Sequence, residues 1–266
     1  MAADTNLSKW FVVPRRNPNA SLRLFCLPYA GGNASTYTSW SKDLPADVEL
    51  VAVQPPGRAD RILEPAHTSM HGLIAGLYPA MQALVGKPYV LLGHSLGSRV
   101  AFELARELRR RGHRLPAHFI ASGSPAPQLP MHSKAIHELP REEFIAELRK
   151  FNGTPETVLQ HDELMELSLP SLRADFKLSE TYSPTDEPPL DSTLSIFSGY
   201  NDKDIDESDL IAWRMHFMRG GEITFFPEDH FFIDKLRESV LARVTDLLRR
   251  VVDDLAPFDT QHDATA

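Results

Sequence analysis

YVLLGHSLGSRVAFELA, residues 89 to 105, changes its pattern at one serine. An apolar run leads into Gly93 and reads as a strand buried on both faces. From Leu96 to about Arg111 the pattern is that of an amphipathic helix. Ser95 stands on the joint, flanked by Gly93 and Gly97, so that residues 93–97 spell G-x-S-x-G between a strand and a helix. A serine on such a turn projects its hydroxyl above the sheet, and glycines leave room for the tight crossing. The helix start behind it offers unpaired N–H groups and the positive end of a dipole, both suited to a developing oxyanion. The competing explanation is a helix N-cap serine with glycines present for packing. The strand-to-helix context favours a nucleophile.

Around this joint the chain alternates. Residues 21–32 (SLRLFCLPYAGG) and 48–58 (VELVAVQPPGR) read as strands running into Pro- and Gly-rich turns. Residues 71–86 carry Leu73, Leu77, Met81 and Leu84 at helical spacing, and residues 117–125 (AHFIASGSP) are another apolar strand. Strands alternating with helices imply an α/β fold with a mostly parallel sheet covered on both faces. The alternation stops at about 127 and resumes at about 189. The text between is polar, helical and punctuated by proline, as expected of an all-helical lid inserted into a single domain spanning 1–266, above the strand ends where sites form. Strands are expected again at 190–202 and 221–232, followed by a helix from about Lys235 to Leu255 and a frayed tail, FDTQHDATA.

The 266 residues carry a formal net charge of -8, which argues against general nucleic-acid binding. Cys26 is the one cysteine, so no intrachain disulfide can form, and a reducing compartment is expected. The start lacks the basic and apolar segments of a signal peptide, and no run nears the length that spans a bilayer. A soluble cytoplasmic protein is expected.

A serine nucleophile needs a base and an acid, which this architecture supplies in the order serine, acid, histidine. Of eleven histidines, His230 in FFPEDHFFI follows the last apolar strand among aromatic residues. His67 and His71 precede the serine, and His94 lies within the elbow, where packing or a local hydrogen bond is the simpler role. At the end of LSIFSGYND, Asp202 is the first acid out of the strand, with Asp204 the alternative. The acid would hold the imidazole tautomer and stabilise the imidazolium. The run DKDIDESD fails as a calcium loop: counted from Asp202, the glycine and glutamate positions hold Glu207 and Trp213. Nor does the chain offer zinc-ligand spacing.

Taken together, LFCLPYAGGNASTY, VAVQPPGRADR, LLGHSLGSRVAFELA, SGYNDKD, AWRMHF and FFPEDHFFI resemble the type II (editing) thioesterases of the α/β-hydrolase fold, which accompany polyketide and nonribosomal peptide synthetases. The resemblance implies a triad of Ser95, Asp202 and His230, with the backbone N–H groups of Ala30 and Leu96 as the oxyanion hole. It implies hydrolysis of acyl thioesters on the phosphopantetheine arm of a carrier protein, with no cofactor beyond that arm. The chain departs from the family in having Tyr29 where histidine is common and Glu228-Asp229 where Gly-Gly is common. A carboxylesterase, an acyltransferase or a non-catalytic carrier-binding module would share the fold. The basic run RELRRRGHR (106–114) could meet an acidic carrier, but a solvated helix end explains it more simply.

Overall fold

The computed structural model describes residues 9–131, 134–151, 153 and 160–259. Seven strands form one sheet: β1 (Phe11–Val12), β2 (Leu22–Leu27), β3 (Val48–Val53), β4 (Tyr89–His94), β5 (His118–Ser122), β6 (Leu190–Gly199) and β7 (Phe217–Phe226), in the order β1-β3-β2-β4-β5-β6-β7. Every pairing is parallel except that of β1 with β3. The five longer helices are α1 (Met70–Gln82), α2 (Leu96–Arg110), α3 (Arg141–Phe151), α4 (Asp162–Thr181) and α5 (Arg237–Asp259).

The apolar runs are continuous because both faces of the sheet are buried, and alternate residues serve different layers. In β2, Phe25 and Leu27 join the core beneath α1 and α2, while Leu24 and Cys26 join the core beneath α5. The stripe of α5 seals the second layer: Val240, Val244 and Leu248 are fully buried, each contributing about 1.5–3 kcal/mol. Between β5 and β6 the described residues contain no strand. There α3 and α4 build a third apolar cluster around Phe144, Leu148, Met165 and Phe176, against which Ala30 also packs. Residues 154–159 of this insertion, and His132, lie outside the described residues.

Several boundaries differ from the sequence expectation: β6 and β7 end at Gly199 and Phe226, short of residues 202 and 232. Strand β7 begins at Phe217 rather than Gly221, because Gly220 and Gly221 (φ +88° and +97°) form an irregularity inside the strand that reads as a turn. The final helix is split: a short turn at Phe232–Lys235 ends at Leu236 (φ -113°, ψ 37°) before α5 begins. The C-terminal helix continues to Asp259, two residues into the expected tail, and residues 260–266 lie outside the described residues.

Parallel pairing brings four strand ends to one edge. Leu27 is level with Gly93, His94 with Ser122, and Gly199 with Phe226. The segments leaving β2, β4, β6 and β7 carry Ala30, Ser95, Asp202 and His230, so residues 200 positions apart in sequence emerge together.

Candidate active site

Ser95 has φ 53° and ψ -120°, a strained conformation for a residue with a side chain. Its backbone N–H donates to the Ser122 carbonyl at 2.7 Å. A Cβ at Gly93 would stand 2.2 Å from the Gly97 carbonyl oxygen, and one at Gly97 would stand 2.2 Å from that of Leu27. Both glycines are therefore required for β4, the bend and α2 to cross this closely. The N-cap explanation fails, since the Ser95 side chain makes no capping hydrogen bond. Its hydroxyl bonds to no other group among the described residues.

Ser95 and His230 line one small pocket, open at its mouth and walled by Ala30, Leu148, Leu172 and Phe176. His230 Nδ1 donates to Asp202 Oδ2 at 2.7 Å, and the Asp202 side chain is only 2% exposed. A carboxylate accepts, so the proton belongs on Nδ1 and Nε2 is left as a base. The other Asp202 oxygen accepts the Asp204 N–H at 3.2 Å, while Asp204 itself is exposed. The geometry thus chooses Asp202 over Asp204 as the partner of His230. Gly199 makes the approach possible: a Cβ there would lie 2.3 Å from the Asp229 carbonyl oxygen.

His94 is fully buried and bonds to the Ser122 hydroxyl (2.9 Å) and, through Nε2, to the His230 carbonyl oxygen (3.0 Å). That carbonyl can only accept, so His94 carries its proton on Nε2 and its Nδ1 accepts from Ser122. Burial, with the neighbouring His230, pushes its pKa well below the ordinary imidazole value. It is a neutral strut under the His230 turn.

Both departures from the family pattern have a local account. The Tyr29 hydroxyl donates to Asp234 at 2.8 Å, and its ring packs edge-on against His94 and Phe231, forming cavity wall. Asp229 pairs with Lys235 at 2.5 Å and accepts the Phe231 N–H at 3.0 Å. Burial opposes its ionisation, but these bonds override it and hold its carboxyl below the usual range. Its charge is committed to Lys235.

The N–H groups of Ala30 and Leu96 meet no acceptor among the described residues. Ala30 lies in the loop after β2, where Gly32 N–H closes a turn onto the Tyr29 carbonyl (2.9 Å). Sequence reasoning missed what holds this loop from outside. Asp175 of α4 accepts the Gly31 N–H at 2.7 Å and is gripped by Arg58 through two parallel bonds of 2.6 and 2.9 Å. Arg58 could have been singled out from its P-G-R context. Asp175 carried no signal, being one acid in a mixed helix.

The basic run is absorbed by acids. Arg106 bonds to Glu103 and Glu187, Arg109 and Arg110 bond to Glu187, and Arg111 to Glu107. Burial opposes ionisation of Glu187, yet the three arginines bring its pKa to about 2. Among the described residues there is no group of three His, Cys, Asp or Glu side chains arranged to hold a metal ion, and no helix long and apolar enough to cross a membrane.

This sequence and this fold match known proteins. The thioesterase domain model covers residues 22–248. The chain belongs to the thioesterase family. The gramicidin S biosynthesis protein GrsT of Aneurinibacillus migulanus is 39% identical over 248 residues, covering 93% of this chain and 97% of that one. The solved type II thioesterase BorB, from the borrelidin biosynthetic cluster, superposes with a TM-score of 0.81 at 33% identity, covering 89% and 96% of the two chains. YbtT, a type II thioesterase from a yersiniabactin NRPS/PKS pathway, gives 0.80 at 30% identity, covering 91% and 99%. The thioesterase described here shares their α/β-hydrolase architecture and is a type II enzyme of the serine-dependent kind.

Proposed function

We propose that this thioesterase hydrolyses acyl thioesters carried on the phosphopantetheine arm of carrier proteins, with Ser95 as nucleophile, His230 as base and Asp202 as its orienting acid. The observation that supports this most is a cavity shared by an unengaged serine hydroxyl, on a strained elbow, and an imidazole held by a buried carboxylate. Ser95 Oγ attacks the thioester carbonyl carbon as His230 Nε2 takes its proton. The oxyanion is received by the N–H groups of Ala30 and Leu96, the latter at the start of α2. Collapse expels the thiol of the arm, which leaves with the proton from His230, and an acyl-enzyme remains. Water, deprotonated by His230, attacks the ester and releases the acid and the free serine.

A thiolate is a good leaving group, so protonating the departing atom matters less here than in amide cleavage. In this reading the arm belongs to the substrate and no resident cofactor or metal takes part. The insertion bearing α3 and α4 acts as the lid that limits acyl size, and the enzyme works in the cytoplasm beside its synthetase. Ser95→Ala should fold and lose fluorophosphonate labelling and turnover. Among acyl-carrier, acyl-coenzyme A and simple ester substrates, the acyl carrier should give the highest kcat/KM. A preference for simple esters would move the assignment to a carboxylesterase. Absence of a Ser95 adduct would favour a binding module.

A further inference from the structure

We propose that Asp175 is a positioning residue for the oxyanion site, so that helix α4 of the insertion sets the loop carrying the Ala30 N–H. The proposal rests on the assignment of Ala30 made above.

The loop after β2 is held at four successive peptide groups. The Ala30 N–H and the Tyr29 carbonyl share one plane, fixed by the 2.9 Å bond from Gly32 N–H to that carbonyl. The next plane ends in the Gly31 N–H, which donates to Asp175 Oδ2 at 2.7 Å. The Gly32 carbonyl accepts from Arg58 Nη1 at 3.2 Å, and the same nitrogen lies 2.6 Å from Asp175 Oδ2. The Gly31-Gly32 segment is thus held between a carboxylate on α4 and a guanidinium on the loop after β3. Gly31 itself is left-handed (φ +77°), and a Cβ there would lie 2.6 Å from Leu172 Cδ2. Leu172 and Asp175 are three residues apart and share a helix face. One closes against the loop while the other bonds it.

The charge needs explaining, because Arg58 and Asp175 are only 7% and 6% exposed. Burying an ion pair costs desolvation, and a well-packed apolar pair of similar volume serves stability as well or better. What Leu or Met could not supply at 175 is a fixed acceptor for a backbone N–H beside the reacting carbonyl. Nor could a lone carboxylate serve, since an uncompensated negative charge so near the oxyanion would oppose it; Arg58 neutralises it. Oxyanion donors act only if aimed where charge develops. The seat of α4 and the readiness of the hole are therefore one structural event.

The test compares the parent with Asp175→Asn and with the double variant Arg58→Met/Asp175→Leu, in which no buried charge is orphaned. Thermal unfolding, kcat, KM, the pH profile of kcat/KM and affinity for an acyl trifluoromethyl ketone, which forms a tetrahedral adduct at the serine, are measured for each. We expect the double variant to stay folded, with kcat reduced roughly ten- to hundredfold as for a reacting group displaced by a fraction of an ångström to one ångström. KM should change little, the ketone affinity should fall by the same factor as kcat/KM, and the midpoint of the pH profile should not move. A folded double variant with undiminished kcat overturns the proposal, as does a loss confined to KM or an unchanged ketone affinity. If neither variant folds, the pair is a fold anchor and the proposal also fails. Ser95→Ala, run alongside, separates the two levels. Turnover by that variant would remove the serine assignment and the oxyanion reading with it; an inactive Ser95→Ala beside fully active Asp175 variants removes this inference alone.

Discussion

Replacing Asp202 by asparagine keeps its shape and reverses its chemistry. The carboxylate lies 2.7 Å from His230 Nδ1, and its other oxygen receives the Asp204 N–H at 3.2 Å. An asparagine there has one oxygen and one NH2. The Asp204 N–H demands the oxygen, which turns the NH2 toward His230. Two donors cannot face each other, so the imidazole must release its Nδ1 proton and carry it on Nε2. The nitrogen facing the cavity then becomes an acid where a base is needed, and the charge opposite the imidazolium is gone. With the side chain 2% exposed, water cannot substitute. A loss of about 10³–10⁴ in kcat is expected for Asp202→Asn, equivalent to about 4–5.5 kcal/mol of barrier. Asp204→Asn, exposed and bonded through its backbone, should stay within about twofold. Steady-state kinetics on an acyl-carrier substrate, with thermal unfolding to confirm that both variants are folded, decides the matter. If Asp204→Asn loses as much as Asp202→Asn, or Asp202→Asn loses less than tenfold, the tautomer argument is wrong.

Two further outcomes follow from packing and burial. Gly97→Ala must push α2 away from β2, where only backbone stands in the way; about 1–3 kcal/mol of stability and on the order of 100-fold in kcat/KM should be lost, whereas Gly86→Ala, with nothing within 4 Å, should leave both unchanged. His118, bonded to Thr193 and Ser195, has its pKa lowered from 6.5 to about 4 by burial and by Arg250 and Arg243. The unfolded chain therefore binds the extra proton, and stability present above about pH 6.5 should decline as pH falls toward 4, by roughly 2 kcal/mol at pH 5; chemical unfolding at pH 7.5 and pH 5 should show a smaller difference for His118→Gln, and an equal difference would remove His118 as its source.

The parts of the site that could be read from the sequence are those whose cause is local or follows from chain order. Ser95 is legible because both glycines that its bend needs stand within five residues, although the backbone that crowds Gly97 belongs to Leu27. His230 and Asp202 are legible because a parallel sheet delivers every strand end to one edge, so being the first acid after one strand, or the histidine after the last, is already a spatial statement. Register need not be known for that inference. What stayed hidden depends on contacts whose sequence trace is ambiguous. Gly220-Gly221 looks like a turn unless β6 is known to lie beside it. The Phe11–Val12 strand is too short to show a period. Asp175 reads as one more acid on a polar helix, because its meaning comes from Arg58, 117 positions away, and from a loop that only the fold places next to it. The same distinction separates the chemistry from its control. The proposed reacting groups are announced by a motif at Ser95 and by chain order at Asp202 and His230. The residue proposed to aim the oxyanion loop needs only to arrive there with an acceptor oxygen, and any helix of the insertion with one acid on the correct face could have supplied it.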